Sequence, residues 1–120
     1  MMAFVKYMTA QAKYDITNAI RYLEQLREQL SNNSTLCFSH DFSELEYNIQ
    51  QLITLRDTLV GVDPSVIDAR MKESYEMFTE IFDNIELFSE LAEIKDDFEV
   101  QNTIESVLVI LKKWVCKDIC

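Results

Sequence analysis

Glycine and proline occur once each in these 120 residues, as Gly61 and Pro64, and histidine occurs once, as His40. β-Folds need turn residues roughly every 8–12 positions, and this chain does not supply them. Long helices with few turns are the consistent solution. One glycine also rules out a glycine-rich phosphate loop. One histidine closes the di-metal carboxylate sites of helical bundles, which take Glu-x-x-His pairs from two helices. Nucleophilic catalysis at Cys37 or a serine would have only His40 as its base. The helical nuclease pattern needs an arginine a few residues before its histidine, and the nearest one before His40 is Arg27. The expectation is a non-enzymatic protein without a cofactor.

Long hydrophobic runs are missing too. None is longer than the five residues of Val107–Leu111, far too short to span a bilayer. Met1–Met8 carries one lysine and no extended apolar stretch, so no secretory signal is expected. The three cysteines, Cys37, Cys116 and Cys120, are then read as reduced thiols in a cytoplasmic protein. Cys37-x-x-His40 and Cys116-x-x-x-Cys120 together resemble a Cys₃His zinc set. In a simple four-helix bundle, however, those two segments lie at opposite ends, ~25–30 Å apart for a 20-residue helix. No metal site is therefore assigned.

Basic residues are scarce where acidic ones are dense. From Glu73 to Glu105 there are eleven acidic residues and one basic one, Lys95, so this window alone carries the −10 charge of the whole chain. Eight of the acids, Glu73, Glu76, Glu80, Asp83, Glu86, Glu90, Glu93 and Asp97, recur at steps of three and four. That is the spacing of one face of an α-helix. Like charges at such steps destabilise a helix by ~0.2–0.5 kcal/mol a pair, and most helical surfaces mix signs to avoid it. A pI near 4.4 argues against direct binding to nucleic acid or an anionic membrane. It favours a basic protein surface as partner.

What the chain has in quantity is apolar periodicity, within one domain spanning residues 1–120. A first helix is predicted over Ala3–Leu30, with Val5, Met8, Ala12, Ile16, Ala19, Leu23, Leu26 and Leu30 at near-heptad spacing. Ser31–Thr35 reads as a loop, and Asp41 with Glu44 as a capping box. A second helix follows over Phe42–Val60, striped by Phe42, Leu45, Ile49, Leu52, Leu55 and Leu59. Gly61 is placed as a left-handed C-terminal cap, Asp63 as the next N-cap and Pro64 as the first helical residue.

The third helix is predicted from Ser65 to at least Phe88, with Met71, Tyr75, Phe78, Phe82, Ile85, Phe88 and Ala92 inward and the acids outward. The fourth runs from Asp97 to about Lys117 behind a second capping box at Asp96 and Glu99, with Val100, Ile104, Val107, Leu111 and Trp114 inward. The fold expected is all-α, an antiparallel up-down-up-down bundle of four helices, or five if helix 3 breaks near Ser89.

The function expected is that of a small acidic interaction protein. Its eight-residue carboxylate face would engage a basic, nucleic-acid-binding protein surface, as an inhibitor of the phage or mobile-element kind. The alternative is a structural homodimer that uses Val5, Tyr7 and Met8 of helix 1 or the aromatic side of helix 3.

Overall fold

The computed structural model describes residues 2–32, 39–94 and 98–115, and the side chains of 11–32, 43–90 and 98–115. The described residues form five helices and no strand: α1 Met2–Ser31, α2 Ser39–Thr58, α3 Pro64–Glu73, α4 Tyr75–Ile94 and α5 Phe98–Val115. The chain is all-α, as its lack of turn residues implied. At ~1.5 Å per residue the 30-residue α1 sets the long dimension of the molecule, 49 Å.

The predicted stripes are the core. Every described residue of the helix 1, 2 and 4 stripes is buried, from Ala12 to Leu30, Leu45 to Leu59 and Val100 to Trp114. Val5, Met8 and Phe42 lie outside the described side chains. α5 packs most closely against α4 and α1, and α1 also packs against α2. Phe78 of α4 stacks on Trp114 of α5 with ring centroids 6.4 Å apart. These positions are equidistant from the α4–α5 connection, which makes the pair antiparallel. Arg27 of α1 and Glu46 of α2 pair across 3.5 Å near the α1–α2 connection, as in an antiparallel hairpin.

Three boundaries differ from expectation. The long third helix is two helices, and the break is at Ser74; α4 is continuous through Ser89. Ser74 sits at φ −88°, ψ 7°. Its N–H is shared between the carbonyls of Arg70 (3.1 Å) and Met71 (3.2 Å), the tightened pattern of a helix end. Its Oγ also donates to the Arg70 carbonyl at 2.8 Å, the side-chain competition by which serine bends helices. Spacing could not reveal this, because the buried residues Ile67, Met71, Phe78, Ile81, Ile85 and Phe88 stay in phase across the break. Separated from α4, α3 packs Ile67 and Met71 inward and lies against α1.

The second difference is the start of α2, at Ser39. Asp41 is therefore inside the helix rather than its cap, and the backbone of His40 is helical rather than loop. The third is the turn before α3. Gly61 takes φ 72°, the left-handed conformation that favours glycine, and Pro64 opens the helix behind Asp63, as expected. The Asp63 side chain makes no capping bond. Its backbone carbonyl instead accepts from the N–H groups of Val66 (2.9 Å) and Ile67 (3.1 Å). The Asp96 cap lies outside the described residues.

One polar cluster joins α2 to α4. Asn84 Nδ2 donates to Asn48 Oδ1 at 2.7 Å, and Asn48 Nδ2 donates to Gln51 Oε1 at 3.1 Å. Asn48 is buried, so shifting α2 along α4 would strand these groups without partners. That penalty holds the register of the two helices.

Candidate functional site: an acid-only helix face

α4 contains Glu76, Glu80, Asp83, Glu86, Glu90 and Glu93 and no basic residue. Its apolar side turns inward through Phe78, Ile81, Ile85 and Phe88, all buried. At 100° per residue that fixes the acids on the outer side, and Glu76, Glu80, Asp83, Glu86 and Glu90 are all exposed. From Glu76 to Glu90 the face is ~21 Å long.

The ridge is shorter than the sequence suggested. Glu73 is exposed but ends α3, on the far side of the Ser74 break. The Glu93 side chain and Asp97 lie outside the described residues. α3 itself mixes signs: Lys72 pairs with Asp68 across 3.2 Å, four positions apart. The acid-only surface thus begins with α4.

Among the described residues no cation pairs with it. Among the described residues the ion pairs are Arg27–Glu46, Arg56–Asp57, Lys72–Asp68 and Lys113–Asp15, and none involves an α4 carboxylate. Lys112 is exposed on the neighbouring α5 and enters none of these pairs. Leu87 stands on the same face between Asp83 and Glu90, with 56% of its surface exposed.

The aromatic residues of the stripe predicted for helix 3 are buried only in part. Phe78 and Phe88 are buried, whereas Tyr75 and Phe82 are half-buried and the deep position beside Phe82 belongs to Ile81. Phe82 lies ~100° around the helix from Ile81 and packs on the core's margin. The helix 1 residues Val5, Tyr7 and Met8, and the Cys37, His40, Cys116 and Cys120 set, lie outside the described side chains. Among the described residues no three His, Cys, Asp or Glu side chains cluster closely enough to hold a metal ion, and no helix is long and apolar enough to cross a membrane.

Sequence reasoning missed Asp15, which is 2% exposed. Its signal was present. Asp15 sits between Ala12, Ile16 and Ala19 of the α1 stripe, only ~60° from their centre, at a position the helix turns inward.

Fold and surface together define a small all-α bundle that presents one helix of a single charge sign to solvent. The chain matches no family model, no curated protein and no solved structure, so a functional reading rests on its own residues.

Proposed function

We propose that the protein is a non-enzymatic regulator whose α4 face binds a basic surface on another protein. The most specific form of this reading is an inhibitor that occupies a nucleic-acid-binding groove, its carboxylates taking the place of phosphates on lysine and arginine. The observation that carries it is the run Glu76, Glu80, Asp83, Glu86 and Glu90. All five are exposed on one unbroken helix, and none is paired among the described residues. A solvated face with no partner to bind would gain stability from interspersed lysines. α3, a few residues away, does carry such a pair at Lys72–Asp68.

Steering by this face would speed association at low ionic strength and fade as salt rises. Leu87 adds an apolar point on which the aliphatic stem of a partner's lysine or arginine can lie. The test is affinity capture of the partner from lysate, followed by titration in rising salt with the parent and with a variant carrying Glu76→Gln, Glu80→Gln, Asp83→Asn and Glu90→Gln. Affinity should fall steeply with salt for the parent and be weak throughout for the variant. An affinity that is flat in salt, or equal in the two proteins, removes the mechanism.

A further inference from the structure

α1 and α5 meet along a seam that opens into a groove of about 590 Å³. One wall carries Tyr14, Asn18 and Tyr22, spaced by four on α1; the other carries Glu105, Val109 and Lys113, spaced by four on α5. Tyr14 and Val109 are large apolar side chains left 66% and 64% exposed, so each wall offers an uncovered hydrophobic surface.

Asp15 also lines this groove, and its carboxylate is only half satisfied. Gln11 Nε2 donates to Oδ1 at 2.8 Å, and Lys113 Nζ donates to the same oxygen at 3.3 Å. Oδ2 is buried and accepts no hydrogen bond among the described residues. A buried carboxylate oxygen without a donor is costly and rare in folded proteins. Lys113 cannot relieve it from where it stands. Its charge is a single point aimed at Oδ1, on a side chain that is half exposed and free to swing into solvent. Asp15 and Glu105 outnumber Lys113, so the groove has an excess of one negative charge.

We propose that the groove receives a guanidinium group, carried on an arginine side chain of a partner protein. Two parallel N–H groups of a guanidinium match both oxygens of a carboxylate, which an ammonium cannot do. Bound to Asp15, it displaces Lys113 from Oδ1, and a rotation of the Asp15 carboxylate brings Oδ2, buried in the unbound protein, round to meet its second N–H. Its planar face and three-carbon stem lie on Tyr14 and Val109. This site uses α1 and α5 and does not depend on the acidic α4 face.

The experiment is an amide-resolved NMR titration of the full chain with N-acetyl-arginine methylamide, its lysine counterpart and agmatine. Saturable shifts are expected at Asn18, Ser106 and Val109 with the arginine compound, and about tenfold weaker binding with lysine, the loss of one good hydrogen-bonded contact. Asp15→Asn should abolish the shifts. Ser106→Trp, a substitution made from the half-exposed rim, should block the groove even if the buried variant folds poorly. Lys113→Ala should tighten binding, because the competing cation is gone. Glu80→Gln with Glu86→Gln on α4 should leave it unchanged. Equal binding of the lysine compound, persistence of the shifts in Ser106→Trp, or their loss only in the α4 variant overturns the proposal. Agmatine binding about tenfold tighter than the amide would overturn the assignment to a protein partner in favour of a small guanidinium compound.

Discussion

Replacing Glu80 and Glu86 by glutamine should make the protein more stable. Among the described side chains of α4 the neighbouring like-charge pairs are Glu76–Glu80, Glu80–Asp83, Asp83–Glu86 and Glu86–Glu90, each three or four residues apart and all exposed. Glu80 and Glu86 together belong to all four. Glu76 is left in the first turn, where the helix dipole favours an acid. Glutamine matches glutamate closely in helix propensity, so the change isolates charge. At about 0.2–0.5 kcal/mol per pair the gain is about 1–2 kcal/mol at low ionic strength, several degrees in Tm for a domain of this size. The assay is urea unfolding followed by circular dichroism at about 20 mM and about 1 M NaCl. At the higher salt the Debye length falls to about 3 Å, and the gain should shrink toward zero. A double variant less stable than the parent, or a gain that persists in high salt, would refute the reasoning. It would mean that the α4 acids are not straining their own helix, and the physical case for a partner-binding ridge would lose its footing.

Other consequences follow from single contacts. Asn84→Ala strips Asn48 of the donor 2.7 Å away and leaves a buried oxygen unpaired, at a cost of about 1–3 kcal/mol in chemical denaturation. Replacing Asn48 and Asn84 together by leucine should cost less than the single change and weaken the specificity of α2–α4 register, visible as broadened amide resonances. Phe78→Ala opens a cavity against Trp114, the only tryptophan. It should destabilise by about 3–5 kcal/mol and shift tryptophan fluorescence to the red; unchanged emission would contradict the stacked contact. Gly61→Ala should cost about 1–2 kcal/mol through backbone strain alone, because φ is 72° and a Cβ there would meet nothing within 4 Å.

Much of the architecture is written locally. The helical period, the Gly61 and Pro64 punctuation and the inward residues of three stripes each depend on a residue and its neighbours within a turn or two, and spacing alone exposes them. The sign of the charge on α4 and its separation from the apolar side are determined in the same way. The carboxylate ridge was legible as a pattern but not in its extent. Glu73 is detached by the hydrogen bonds of Ser74, and those arise without any disturbance of the 3–4 spacing.

What only the tertiary structure decided depends on which helix lies beside which. The inward position of Asp15 was legible from the α1 stripe, but only the approach of α5 brings Lys113, 98 positions away, to 3.3 Å from its carboxylate. Asn48 and Asn84 are 36 positions apart, and nothing in either helix announces the other. Ile81 takes the deep position beside a half-buried Phe82 because the rotation of α4 against its neighbours is settled by packing, to which both residues would contribute apolar surface. Helical periodicity is a property of one backbone, whereas burial, pairing and rotation belong to the space between helices.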